Sequence, residues 1–190
     1  MTVASQSKGK GRAQPRAKLS PEKGNELLGV VLLAAGGLLG LALGSYHAAD
    51  PSFLHQVPRG AARGVGNWAG PIGAEVAAGG LAVLGLTAFL VPALLLGAAW
   101  RRLRRRGRQR VVGRGLGVAL VLASAPGLVE LALGRVAWRG GEMASGGAFG
   151  ELLVDLLTTR LNVPGSLLVL LAAAIAGSTL IVQSTLGDLL

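Results

Sequence analysis

The sequence predicts an all-α, polytopic integral membrane protein. It should have four transmembrane helices, one amphipathic helix on the outer surface, and both termini in the cytoplasm. Three observations predict this. Of 190 residues, 51% are hydrophobic but only 4% aromatic and 15% charged, too apolar a balance for a soluble basic protein or a disordered basic chain. The apolar residues gather in four long runs, each near the ~20 residues that cross ~30 Å of hydrocarbon as a helix. The basic residues, which give a net charge of +10, crowd onto alternate sides of those runs.

Residues 1–19 are polar, basic and rich in Ser, Gly, Gln and Lys, the composition of a disordered cytoplasmic tail. Residues 20–190 form the membrane domain. Ser20-Pro21-Glu22 reads as a helix start, with Ser as N-cap, Pro at the first position and an acid in the first turn. The first run, 27–44, is uncharged. A cleaved signal peptide is the rival reading, but the apolar stretch exceeds an h-region of about 7–15 residues. Gly36, Gly40 and Gly44 recur every fourth residue, a helix-packing face that serves contacts within a bundle or between subunits.

Residues 45–70 form an irregular outer loop, rich in Pro and Gly. Pro71 precedes the second run, 72–99, which holds Glu75. The third run, 116–134, holds Glu130. Pro92 and Pro126 should kink these two helices. Residues 140–147 are Gly-rich and expected to be flexible. From about 148 to 161, Phe149, Leu152, Leu153, Leu156, Leu157 and Leu161 fall at helical spacing, with Glu151, Asp155, Thr158 and Arg160 opposite. This amphipathic helix is too polar to span and should lie at the outer boundary or cap the bundle. Asn162-Val163-Pro164-Gly165 ends it, and the fourth run covers 165–182. The runs do not alternate, so strands are not expected in them.

Of the 19 basic residues, 14 lie before the first run or between the second and third, and five in the other two loops. Positive charge marks the cytoplasmic side. The densest cluster is Arg101, Arg102, Arg104, Arg105, Arg106, Arg108 and Arg110. It follows Trp100 at a span boundary and has no interleaved aromatics for base stacking. It therefore reads as a topology anchor on anionic lipid headgroups, worth about 1 kcal/mol per basic residue, rather than as a DNA-binding surface.

Reactive chemistry is scarce. There is no cysteine, hence no disulfide, thiolate or cysteine metal site. No P-loop sequence occurs, and the glycines at 113, 115 and 117 follow an arginine run rather than a strand. His47, Asp50 and His55 share one loop but lack helical spacing and a third strong ligand. Glu75 and Glu130 are acids near hydrocarbon, which elsewhere mark ion paths. Here each lies close to the outer boundary, where hydration or an Arg partner is the simpler expectation. No catalytic, cofactor or metal residue is assigned.

Particular words of the sequence resemble a known family. They are Glu26-Leu27-Leu28-Gly29 opening the first span and Ser45-Tyr46-His47-Ala48-Ala49-Asp50-Pro51-Ser52-Phe53 closing it. Asn67-Trp68-Ala69-Gly70-Pro71-Ile72-Gly73-Ala74 opens the second. Phe149-Gly150-Glu151-Leu152-Leu153 and Val163-Pro164-Gly165-Ser166-Leu167-Leu168 lead into the fourth. Their order resembles the N-terminal four-span domain of the FtsK/SpoIIIE DNA translocases, with Ser45, Tyr46, His47, Asp50 and Pro51 as its most specific part. The resemblance implies a bacterial inner-membrane protein at the division septum that acts in divisome assembly. Its partners would be the bilayer and other divisome membrane proteins, and a hexamer is implied by the family's motor. In the family a linker and a DNA-pumping ATPase follow, whereas this sequence stops at Leu190 with no Walker motif. The expected role is anchoring, not catalysis. The alternatives are the anchor of an ATP-driven translocase whose motor lies outside this chain, and a small transporter or channel subunit.

Overall fold

The computed structural model describes residues 21–53, 64–104 and 111–186. The N-terminal tail and Arg105, Arg106, Arg108 and Arg110 lie outside the described residues, as does His55. Helix α1 is Pro21–Gly44, α2 Gly70–Leu84, α3 Leu90–Arg104, α4 Val111–Leu133 and α5 Gly147–Leu186, with a 3-10 segment, Gly85–Phe89, between α2 and α3. Four helical stretches are long and apolar enough to cross a membrane: Lys23–Gly44, Gly70–Arg104, Gly113–Leu133 and Gly147–Gln183. The protein is a multi-pass membrane protein.

Two antiparallel helix pairs make the body. On α1 and α3, Gly29 meets Leu103, Gly36 meets Leu95 and Leu96, and Gly40 faces Pro92. On α4 and α5, Gly117 meets Gly177 and Ile181. A Cβ on Gly117 would lie 2.7 Å from the Gly177 carbonyl oxygen, so the two backbones touch. Small residues permit such an approach where lipid offers no hydrophobic drive to association. Large side chains face outward instead, as at Leu38, Leu168 and Ile175.

The second apolar run is not one helix. It breaks at Gly85 (φ 59°, ψ −142°), a backbone state that only glycine adopts readily. The expected kink at Pro92 is absent because Pro92 falls in the first turn of α3, where its missing N–H costs little. Helix α2 lies across the end of α1 rather than beside it. Ala42 is close to Gly73 and Leu43 to Gly80. These pairs advance one residue along α1 but seven along α2, about 10 Å.

α5 also differs from a single span. Forty residues of helix would measure about 60 Å. Asn162, at φ 54° and ψ 176°, interrupts it. Leu153 and Leu170 both reach Gly127, coming within 3.1 Å and 3.0 Å of where its Cβ would be. On a straight helix they would sit about 25 Å apart. The helix therefore folds back into a V, in line with the amphipathic segment and fourth span that the sequence separates at Asn162. The amphipathic segment packs through Gly150, Leu153, Val154 and Leu157 and leaves Leu152 and Leu156 exposed.

The Gly-rich stretch expected to be flexible is instead a β-hairpin. Strand β1, Arg135–Trp138, pairs antiparallel with β2, Gly141–Ala144, with Trp138 opposite Gly141. The two turn residues both have positive φ, Arg139 at 48° and Gly140 at 88°, the backbone that matches strand twist. This hairpin is an addition to the all-α prediction.

Candidate interaction site at the loop end

The hairpin, α2 and the segment after α1 meet at one end of the molecule. The core cluster lies here too: Ala42 and Leu43 of α1 pack with Ala77, Leu81 and Ala88. Around it the polar side chains of residues 45–50 hold backbone. The Ser45 hydroxyl donates to the Leu41 carbonyl at 2.6 Å and accepts from the Trp68 amide at 2.9 Å. Asp50, 8% exposed, accepts the Gly66 amide at 2.9 Å. His47 accepts the Ala49 amide at 3.3 Å and packs over Gly140 of the hairpin turn. The Asn67 amide donates to the Ala42 carbonyl at 2.8 Å, while its oxygen accepts the Ala69 amide at 3.0 Å. Gly73 leaves room for Asn67, whose oxygen would lie 2.7 Å from a Cβ there. Burial, and then the nearby Asp50 carboxylate, raise the Tyr46 phenol above its ordinary value of 10.0.

Arg139, which the sequence marks only as one of the five outer-loop charges, closes this end. Its guanidinium donates to the Gly44 carbonyl at 2.9 Å, and its own carbonyl accepts the Ala48 amide at 3.1 Å. It thus caps the C-terminus of α1, where carbonyls lack helical partners and positive charge is favoured. Trp138 packs edge-on to Phe89, with ring centroids 6.2 Å apart. The strand sequences, Arg135-Val136-Ala137-Trp138 and Gly141-Glu142-Met143-Ala144, show no apolar-polar alternation, so the sequence carried little signal for this hairpin beyond the glycine at its turn.

Both acids near hydrocarbon hold backbone as well. Glu75 accepts the Phe53 amide at 3.0 Å. Glu130 accepts the Gly146 amide at 2.8 Å and lies 3.2 Å from the fully buried Ser145 hydroxyl, which also reaches the Val129 carbonyl at 3.0 Å. The Ser145 carbonyl in turn accepts the Leu86 amide at 2.7 Å. The strand that leaves the hairpin is thereby tied to both α4 and the break after α2. Gly85 and Gly147 contact one another here through backbone, both at positive φ.

Chemically, the site presents a shaped surface. Trp68, Ile72 and Phe53 stand 79%, 78% and 64% exposed along its edge. Among the described residues, no three metal-ligating side chains come together.

The family model for the 4TM region of DNA translocase FtsK/SpoIIIE matches residues 22–190. The chain belongs to this family. A DNA translocase FtsK of Vibrio vulnificus is 33% identical over 161 residues, covering 82% of this chain and 15% of that protein. One from Vibrio parahaemolyticus is 32% identical over 157 residues, with 80% and 15% covered. One from Pseudomonas aeruginosa is 34% identical over 164 residues, with 78% and 19% covered. The chain thus spans about 15–19% of the length of the curated relatives it matches. No solved structure matches it.

Within this FtsK/SpoIIIE 4TM fold, the other singled-out residues separate. Gly36 and Gly40 face α3, while nothing lies within 4 Å of a Cβ on Gly44. At the opposite end of the bundle, Arg102 donates to Asn25 of α1 at 3.1 Å, and Arg104 stacks 3.9 Å over the Trp100 ring. Pro51 is half-buried beside Asp50.

Proposed function

We propose that the chain is the septum-targeting membrane anchor of an FtsK-like cell division protein of the bacterial inner membrane, acting in divisome assembly. The observation that carries this reading is the joining of the family's loop words, Ser45 to Asp50 and Asn67, into one hydrogen-bonded surface. A loop that only linked two spans would not require buried side chains to hold it. By the bias of 14 basic residues to five, that surface faces the periplasm and both chain ends face the cytoplasm. The amphipathic half of α5 then lies at the periplasmic face. The occupants of the surface are other divisome membrane proteins, and a homo-oligomer extends the same contacts. The chain itself performs no catalysis.

A fluorescent fusion in dividing cells tests this. A septal band is expected, lost when Asp50→Ala and Asn67→Ala loosen the surface while membrane insertion persists. Uniform membrane labelling by the wild type would refute the targeting role.

A second reading is favoured by the relatives' length. Matching only 15–19% of proteins named DNA translocase FtsK, the chain would anchor an ATP-driven motor for chromosome segregation lying outside it. Continuation of the reading frame, or a neighbouring gene, into a P-loop ATPase would support it. The transporter reading predicts that Glu75→Gln or Glu130→Gln abolishes a flux. It has less support, since both carboxylates already accept backbone amides.

A further inference from the structure

The two helix pairs are joined at the loop end by α2, the 3-10 segment and the hairpin, but toward the arginine-rich end α3 and α4 stand apart. Between them lies a groove of about 320 Å³. Val91, Leu94 and Ala98 of α3 form one wall, and Val118 and Leu122 of α4 the other. Arg101, Arg102 and Arg114 stand at its mouth. Among the described residues no acid lines it, and none occurs in the sequence between Trp100 and Glu130. From Arg101 to Val91 the wall is ten residues deep, about 15 Å, half of the ~30 Å hydrocarbon thickness.

We propose that this groove is a binding site for one acidic phospholipid. The occupant must be apolar for the depth of one leaflet and anionic at the arginine end. A phospholipid with a net negative headgroup has both properties. Its phosphate sits among Arg101, Arg102 and Arg114, whose planar guanidinium groups suit phosphate oxygens. One acyl chain follows Ala98 to Val91 between the helices. Gly115 leaves room at the mouth, because nothing lies within 4 Å of a Cβ placed there. The arginines thus do more than set orientation: three of them select a lipid in a shaped site.

Native mass spectrometry of the full chain in detergent tests this, with dioleoyl phosphatidylglycerol and dioleoyl phosphatidylcholine as probes. The expected result is one phosphatidylglycerol retained in preference to phosphatidylcholine. Each arginine neutralised should weaken it about fivefold, so Arg101→Gln with Arg114→Gln should cost roughly 25-fold. Gly115→Leu fills the groove without removing charge and should weaken it about tenfold, the loss of roughly two buried methylenes. Gly113→Leu, also in open space but outside the groove lining, should bind as wild type.

Equal retention of the two lipids would overturn the proposal. So would unchanged binding in Gly115→Leu, which would place the lipid on the arginines alone, outside the groove. Displacement by excess inorganic phosphate would overturn it in favour of a phosphate site, and crosslinking of a second copy at Ala98 would assign the groove to self-association. Resistance of the protein to carbonate extraction from membranes is read separately, so failure of the lipid site is distinguishable from failure to insert.

Discussion

Gly85→Ala is the most informative single change. The residue sits at φ 59°, ψ −142°, so any Cβ meets a backbone state worth about 1–3 kcal/mol of strain. The new methyl would also overlap the Ser145 carbonyl and the Gly147 amide nitrogen, which are backbone atoms and cannot rotate away. Overpacking of this kind costs about 1–3 kcal/mol. Relieving it must lengthen the 2.7 Å bond from the Leu86 amide to Ser145, a further ~1 kcal/mol. Alanine's smaller freedom in the unfolded chain offsets about 0.4–1 kcal/mol. The net loss should be about 2–7 kcal/mol. Trp138, packed on Phe89 beside this junction, reports the transition once Trp68 and Trp100 are changed to Phe. Unfolding in mixed micelles of rising SDS fraction then gives the midpoint. Gly37→Ala and Gly113→Ala, with nothing within 4 Å, should leave it unchanged or slightly raised. An unshifted midpoint in Gly85→Ala would refute the view that the break is pinned by this contact.

Three further outcomes follow from the geometry. Because the chain has no native cysteine, Leu153→Cys with Leu170→Cys should be joined by a bis-maleimide of about 10 Å reach, whereas a continuous helix would hold them about 25 Å apart and leave them unlinked. Glu130→Ala should destabilise the fold by about 1–3 kcal/mol, because the Gly146 amide loses its acceptor and the buried Ser145 hydroxyl loses one of its two; Glu130→Gln, which keeps an acceptor oxygen, should lose less in the same SDS titration. Tyr46 has its folded-state pKa raised above 10.0, so the folded protein holds the phenolic proton more tightly than the unfolded chain. The stability this confers is present in full below pH 10.0 and is lost as pH rises from there through the higher folded value; Tyr46→Phe should abolish that alkaline fall when stability is measured from neutral pH upward.

The spans were legible because burial in lipid leaves a compositional record. Eighteen uncharged residues in succession, at 27–44, suit hydrocarbon and little else, and the Asn162-Val163-Pro164-Gly165 turn is written in helix-breaking residues. The divided second run was not legible. Gly85 is one of 31 glycines, and its role depends on Ser145 and Gly147, sixty residues away in the chain. Hydropathy averages over such a point, since the helices on either side are equally apolar. The hairpin was hidden for a related reason. Its glycines read as looseness, but Gly140 serves a positive-φ turn and Gly146 and Gly147 serve close backbone approach. The words quoted from the sequence include Ser45, Asp50 and Asn67, which the fold brings together at the loop end. They did not show that Ser45, Asp50 and Asn67 each hold backbone from a different segment, because hydrogen-bond partners at a separation of sixteen to 25 residues leave no periodic trace.

The two ends of the bundle differ for one physical reason, the size and charge of what faces inward. At the loop end, glycines at 85, 146, 147 and 150 let backbones approach closely, alanines at 42, 77 and 88 fill the core, and the Leu86 and Gly146 amides find acceptors at Ser145 and Glu130. At the other end, Arg101 and Arg102 on α3 face Arg114 on α4 across the groove. Charge of one sign on both walls disfavours their close approach. An open cleft at this end is in keeping with that charge. An anion bridging the two walls lowers that repulsion without bringing the helices together, and so an acidic lipid should stabilise the splayed form in proportion to its charge.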